Sequence, residues 1–232
     1  MVEKSELFSP LQAKQTEPHS LAREPWSARP ARTLAEIALV FGLILTAIWT
    51  PQGQLNRSIS IVTALFVVGL AITGGWTPSE LGLTRPRRGV GAILLTGAIL
   101  CGTILLVGTA LRFAGVGNAL PWGRSWQYVL WALEQEFILQ SIFFVRLASL
   151  FGAQRAVILA AALFSIAHLP SPVLTLLSFV GGIVFSDLFR RFRNLYPLGV
   201  IHGALGLTIA ASMPDKWLHH MRVGLGYLSS HP

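Results

Sequence analysis

Apolar residues in this 232-residue chain collect in long runs, separated by shorter stretches that are polar or contain proline and glycine. A helix needs about 20 mainly apolar residues to cross the ~30 Å hydrocarbon core of a membrane. The pattern therefore predicts an all-α, polytopic membrane protein with about seven transmembrane helices. The predicted spans are 34–50, 58–76, 89–112, 125–151, 154–168, 172–189 and 197–213.

The two ends of the chain differ from this pattern. Residues 1–33 contain four prolines and show no apolar periodicity, which predicts a flexible cytoplasmic tail. Residues 214–232 are more polar again and are predicted to form a short C-terminal tail. The transmembrane helical domain is accordingly predicted to cover residues 34–213.

Composition and charge agree with a membrane location. Charged residues make up 12% of the chain, against about 25% in an average soluble domain. The net charge of +8 does not indicate nucleic-acid binding, because the basic residues lie at the ends of the apolar runs, where topology signals lie. Thirteen of them fall on one side of the predicted spans and five on the other. The richer side, with loops 77–88, 146–155 and 190–196, is predicted to be cytoplasmic, and the membrane is predicted to be a bacterial inner (plasma) membrane.

One predicted span carries polar residues in its middle. Within residues 131–146, the side chains of Glu134, Gln135, Glu136 and Gln140 interrupt an apolar run. A carboxylate at bilayer depth costs at least ~2.5 kcal/mol, so these residues need a partner, a water-filled cavity or a chemical role. On a regular helix Glu136 and Gln140 share a face, whereas Glu134 points about 200° away from Glu136. The two carboxylates are therefore not expected to face the same cavity.

Two later spans each carry one histidine. Phe164 and His168 lie four residues apart, as do His202 and Gly206, so each pair shares a helix face. A glutamate and two histidines are sufficient for hydrolysis, with the carboxylate as general base and the imidazoles as proton donor and oxyanion donor. The same three residue types also form a known catalytic zinc site, although no His-Glu-x-x-His segment is present. A membrane histidine can also simply bond a neighbouring helix.

These segments resemble the CAAX protease and bacteriocin-processing (CPBP) family, also called the type II CAAX prenyl endopeptidase or Abi family. Its intramembrane endopeptidases carry Glu-Glu-x-x-x-Arg, then Phe-x-x-x-His, then His-x-x-x-Asn/Asp. The corresponding residues here are Gln135-Glu136-x-x-x-Gln140, Phe164-x-x-x-His168 and His202-x-x-x-Gly206. The likeness covers residues 75–212 and includes a family-like linker at 80–88. Three positions depart from the family pattern, namely 135, 140 and 206.

The resemblance implies an intramembrane endopeptidase that acts on a membrane-associated peptide or protein. Because an amide cannot act as a general base, that role passes from position 135 to Glu136, with Glu134 in reserve. His168 would bind the water or donate a proton, and His202 would stabilise the oxyanion. Gln140 would hold Glu136 in place. A glutamate-dependent mechanism needs no cofactor, and zinc, if present, would be held by Glu136, His168 and His202.

Two other functions remain open from the sequence. The substitutions at positions 135, 140 and 206 favour a non-cleaving relative that binds a membrane peptide or a partner protein. Buried glutamate and histidine also occur in transporters and proton relays. Against a transporter, the chain shows no inverted repeat and no pair of broken helices.

Overall fold

The computed structural model describes residues 30–111, 123 and 125–229, and this part of the chain contains helices and turns but no strand. The long helices are α1 (Pro30–Ile48), α2 (Gln54–Thr73), α3 (Val90–Ala110), α4 (Ser125–Glu136), α5 (Val145–Phe151), α6 (Ala153–Ile166), α7 (Pro172–Phe192) and α8 (Leu195–Ser212). A π-helical segment, Phe137–Phe144, joins α4 to α5. The C-terminal segment holds α9 (Asp215–Leu218), a 3₁₀ turn (His219–Met221) and α10 (Gly224–Leu228).

Six helical stretches are long and apolar enough to cross a membrane among the described residues, and α6 is a shorter apolar helix. The stretch from α4 through α5, Ser125–Phe151, counts as one of the six. The prediction of an all-α polytopic membrane protein is confirmed. The predicted span boundaries differ from the helix ends by only a few residues. The largest shifts at N-terminal helix ends are of four residues, in α1, which begins at Pro30 rather than at 34, and in α2, which begins at Gln54 rather than at 58. Most of the predicted tail lies outside the described residues.

Glycines allow α8 to pack closely against two neighbouring helices. A Cβ at Gly199 would lie 2.5 Å from a methyl carbon of Leu133, and one at Gly203 would lie 2.9 Å from a methyl carbon of Val129. Residue numbers increase along α8 (199, then 203) while those of the α4 residues they contact decrease (133, then 129), so the two helices run antiparallel. On α3, Gly97 lies against Ile201 in the same way, with a Cβ-to-methyl distance of 2.5 Å. This packing carries His202 to the end of α4.

Arg146 differs from its predicted place in a cytoplasmic loop. It belongs to α5, its side chain is 0% exposed, and its Nε lies 2.8 Å from Oε2 of Glu36 on α1. The other oxygen of Glu36 accepts a hydrogen bond from Arg32 at 2.8 Å. Arg146 therefore forms an ion pair with Glu36 inside the protein and does not lie in a loop. Six of the other basic residues in the count of thirteen against five lie outside the described residues, namely Lys4, Lys14, Arg23, Arg29, Arg112 and Arg124.

The linker before α3 is bound to the turn between α7 and α8. The Asn194 amide donates to the carbonyls of Pro86 and Arg88, both at 2.9 Å, and the Tyr196 hydroxyl donates to the carbonyl of Leu83 at 3.0 Å. Near that turn, Asp187 accepts hydrogen bonds from Arg190 at one carboxylate oxygen and from Arg191 at the other. The loops at 80–88 and 193–196 consequently lie at the same end of the helix bundle.

The C-terminal segment is more ordered than a simple tail. Its Gly224 N–H donates to the carbonyl of Leu169 at 2.8 Å, and Met221 and Val223 line the cavity described below. The described part of the predicted tail, 214–229, therefore closes one side of the candidate site. Its apolar side chains explain why it packs there instead of remaining in solvent.

Candidate active site

The acidic motif lies where α-helix changes to π-helix. Glu136 is the last residue of α4, and the π-helical segment that follows includes Gln140. At its end, the N–H of Val145 bonds to the carbonyl of Gln140, five residues back, which is the π-helical pattern. Such segments occur often at functional sites. The sequence reasoning assumed a regular helix here and missed this change.

Glu136 and His202 are in direct contact. His202 Nδ1 lies 2.9 Å from Glu136 Oε1, and the Gln140 amide donates to Glu136 Oε2 at 3.0 Å. Glu136 is 0% exposed, while the side chain of His202 is 12% exposed. Opposite an ionised carboxylate, which can only accept, Nδ1 of His202 is the donor, and a neutral imidazole then has its lone pair at Nε2. Glu136 is fully buried and does not line the adjoining cavity, so its oxygens are not open to water there.

His168 lies in the turn after α6 and shares Phe164 with His202. Its Nδ1 lies 2.7 Å from the carbonyl oxygen of Phe164, and because a carbonyl can only accept, Nδ1 must be the donor. The centroid of the Phe164 ring is 4.6 Å from that of His168 and 5.7 Å from that of His202. Phe164 therefore holds the two imidazoles near each other, and each presents an Nε2 lone pair.

A cavity of about 660 Å³ adjoins these residues. Its polar wall includes His168, His202, Glu134 and Gln135, while Glu136 is not among the lining residues. Most of the remaining wall is apolar and comes from α1, α2, α7 and the π segment. The predicted divergence of Glu134 and Glu136 is thus seen in the structure, but it is Glu134 that faces the cavity. Glu136 lies behind His202.

Gln135 occupies the cavity wall without its full set of hydrogen bonds. Its Oε1 is buried and has no hydrogen-bond partner among the described residues. The same is true of Oε1 of Gln140, whose amide nitrogen binds Glu136. A buried acceptor without a partner is unusual in a folded protein and marks this part of the cavity wall as polar.

The glycine of the third motif lies under an aromatic ring. The atom nearest to a Cβ at Gly206 would be the hydroxyl oxygen of Tyr128, followed by Cε1 at 2.7 Å and Cζ at 2.8 Å, and both residues line the cavity. Only glycine leaves room for the hydroxyl end of the ring in this position. Sequence reasoning did not identify Tyr128, because a tyrosine at the start of a span is usually explained by the membrane interface.

A zinc site does not assemble from the predicted residues. Among the described residues, no group of three or more His, Cys, Asp or Glu side chains is arranged to hold a metal ion. The two oxygens of Glu136 already bond to Gln140 and His202. The set of Glu136, His168 and His202 therefore does not fit as a ligand set, and no reaction step is derived through a metal.

Residues 118–208 match the family model described as Type II CAAX prenyl endopeptidase Rce1-like. The match spans all three motifs, and it confirms the resemblance identified from the sequence. At the family level it supports a CAAX-type intramembrane endopeptidase. No curated protein and no solved structure matches the chain.

Proposed function

Starting from the Rce1-like match over residues 118–208, we propose that this protein is an intramembrane endopeptidase. It hydrolyses a peptide bond in a protein or peptide that is presented at the membrane. The observation that carries the proposal is the 2.9 Å contact between His202 and the buried Glu136, beside a cavity that His168 also lines. This contact is the carboxylate–imidazole pair that general-base hydrolysis uses.

In this mechanism His202 is the general base. Nε2 of His202 takes a proton from water, and the water oxygen bonds to the carbonyl carbon while the C=O electron pair moves onto oxygen. When the tetrahedral intermediate collapses, the C–N bond breaks and the imidazolium returns the proton to the leaving amine. Glu136 stabilises the imidazolium through a charge-assisted hydrogen bond, and Nε2 of His168 accepts a hydrogen bond that orients the water.

The role of Glu136 differs here from the direct base that the sequence suggested. With one oxygen on His202 and the other on Gln140, Glu136 acts through the imidazole and is a positioning residue. Glu134 remains the reserve base, since its carboxylate is exposed at the cavity wall. The amide of Gln135 cannot take a proton but can accept a hydrogen bond from the substrate.

The proposal is tested with purified protein in liposomes and a library of membrane-anchored peptides. His202→Ala and His168→Ala should each abolish detectable cleavage while the protein still unfolds at the temperature of the wild type. The matched control is His220→Ala, because His220 pairs with Asp215 on the surface at 3.1 Å and does not line the cavity. Wild-type rates in either cavity variant would refute the mechanism.

A chelator control addresses the metal question separately. Hydrolysis driven by the Glu136–His202 pair alone should continue at the same rate in the presence of EDTA. Loss of cleavage on chelation, with recovery on added zinc, would contradict the metal-free mechanism.

A second candidate is a non-cleaving relative that binds a membrane peptide. The observation that favours it is Gln135, an amide on the cavity wall at the position where the family pattern has a glutamate. Tight binding of a library peptide, without cleavage by the wild type at any pH between 5 and 9, would make this candidate the better one.

For the location, we propose the bacterial inner membrane with the N-terminus in the cytoplasm. The support is that the basic residues of the 80–88 linker and of the turn after α7 lie at one end of the bundle. The N–H group of Arg88 at Nη2 donates to the carbonyl of Arg191 at 3.4 Å, so these two basic stretches must be on the same side of the membrane. Positively charged loops favour the cytoplasmic side.

A further inference from the structure

The packing of Tyr128 on Gly206 places a hydroxyl group beside the proposed catalytic pair. The hydroxyl oxygen of Tyr128 and the ring edge that carries it fill the space where a side chain at 206 would begin, with Cε1 at 2.7 Å from the position of a Cβ. Residues 202 and 206 are four apart on α8, so His202 and Gly206 share a helix face one turn apart. The Tyr128 ring therefore covers the same face of α8 that carries His202.

The hydroxyl of Tyr128 is available to a ligand. It makes no hydrogen bond to any residue in the part of the chain that the structure describes, although the ring contacts Trp131 at a centroid distance of 5.5 Å. Tyr128 also lines the cavity together with His168 and His202. By contrast, the hydroxyl of Tyr196 already donates to a backbone carbonyl at the other end of the bundle.

We propose that Tyr128 is a further catalytic residue, whose hydroxyl donates a hydrogen bond to the carbonyl oxygen of the peptide bond under attack. This inference rests on the proposed endopeptidase activity. A purely structural role explains why the hydroxyl end of Tyr128 packs on Gly206. It does not explain a polar oxygen at the cavity wall that has no hydrogen-bond partner within the described residues, because such a group is a poor space filler.

The proposed hydrogen bond becomes stronger as the reaction proceeds. When water adds to the carbonyl carbon, the C=O electron pair moves onto the oxygen, and the negative charge there strengthens the bond from the phenol. The phenol keeps its proton throughout, since the proton of the water goes to His202 and then to the leaving amine. The apolar wall of the cavity increases the effect, because charge is poorly screened there.

The test compares wild type with Tyr128→Phe, using the peptide that the wild type cleaves best. Loss of one oxyanion donor lowers kcat by roughly 10²-fold in known enzymes, so we expect a loss of that order in kcat with KM nearly unchanged. A phosphinic analogue of the same peptide, which carries a tetrahedral anion, should bind more weakly to the variant by a similar factor. The parent peptide should bind both proteins equally.

Two further variants separate chemistry from packing. Tyr196→Phe removes a hydroxyl outside the cavity and should leave kcat at the wild-type value. Gly206→Ala keeps the hydroxyl of Tyr128 but pushes its ring aside, so kcat should fall although all polar groups are present. Both variants are read against their unfolding temperatures.

The outcomes distinguish this inference from the proposed function. Wild-type kcat in Tyr128→Phe overturns the tyrosine role and leaves the endopeptidase proposal standing. A change confined to KM likewise overturns it, because the hydroxyl would then act in ground-state binding alone. A wild-type protein that cleaves no peptide in the library overturns both.

Discussion

Replacement of Glu136 by glutamine removes the charge behind His202 with little change in shape. The new amide oxygen can accept from Nδ1 of His202, and the new NH₂ group then faces Gln140. That contact would place two NH₂ groups together, but Oε1 of Gln140 has no partner among the described residues. A flip of the Gln140 amide therefore restores a hydrogen bond, and the fold and the imidazole tautomer should both be kept.

The size of the rate loss in Glu136→Gln follows from the neutral hydrogen bond to His202 that the variant keeps. A hydrogen bond to a charged group contributes about 1.5–3 kcal/mol, and one between neutral groups about 0.5–1.5 kcal/mol. The difference of roughly 1–1.5 kcal/mol is the lost stabilisation of the imidazolium, which corresponds to about a tenfold fall in rate. If Glu136 were instead the direct base, its loss would remove about 10²–10⁴-fold. The two mechanisms thus predict different rates for Glu136→Gln.

Initial rates of peptide cleavage in liposomes measure this difference. The matched control is Glu80→Gln, because Glu80 accepts from the backbone and hydroxyl of Thr77 on the linker, away from the cavity. We expect about a tenfold loss for Glu136→Gln and no loss for the control. A wild-type rate in Glu136→Gln would refute the carboxylate–imidazole mechanism. A loss beyond 10²-fold would contradict the expected tenfold effect, because it would mean that Glu136 is the base itself or that the new amide holds His202 in the wrong tautomer.

Three further predictions concern the cavity, the buried ion pair and the topology. Gln135→Glu adds a carboxylate at the cavity wall and should retain or raise the cleavage rate; inactivity of a folded variant would contradict this. Glu36→Gln leaves Arg146 buried without its charge partner and should lower the free energy of unfolding by roughly 3–5 kcal/mol. The unfolding temperature should fall accordingly, and the addition of Arg146→Met in a double variant should partly restore it. Cysteines introduced at Arg88 and Arg191 should be shielded from an impermeant thiol reagent in intact cells, whereas labelling of both from outside would reverse the proposed orientation.

The helices of this protein could be predicted well from sequence because the signal is local. Each span is an apolar run bounded by proline, glycine or basic residues, so length and hydropathy are sufficient to find it. Pro172 illustrates this, since it begins α7 directly after Ser171, whose hydroxyl accepts a hydrogen bond from Leu174 N at 3.4 Å. The one weak span, α6, is short at 14 residues and was placed within two residues of its observed ends.

The three polar motifs were also visible, but their arrangement was not. Counting 1.5 Å per residue from the cytoplasmic end puts His168 about 21 Å deep and His202 only about 8 Å deep. In the structure both rings nevertheless contact Phe164. A depth counted in residues from the end of a span includes neither the tilt of the helix nor the position at which the helix enters the membrane. Both depend on packing between segments that are distant in sequence.

Two other contacts could not be predicted from the sequence for the same reason. The ion pair of Glu36 and Arg146 joins residues that are 110 positions apart, so neither residue alone indicated a partner. The contact between Tyr128 and Gly206 joins α4 to α8. Neither Tyr128 nor Arg146 was out of place at its position in the sequence, and only the tertiary structure shows what each contacts.

Three of the carboxylates in the described spans, Glu36, Glu134 and Glu136, differ in what they contact. Glu36 is paired with two arginines, and both oxygens of Glu136 are hydrogen-bonded. Glu134 has neither an ion pair nor a hydrogen bond within the described part of the chain, and it lines the cavity. Since an unpaired carboxylate in hydrocarbon is strongly unfavourable, we expect water at the cavity wall beside Glu134. The proposed hydrolysis requires water at this depth, and that water would lie on the side of the cavity where Gln135 and the two histidines lie.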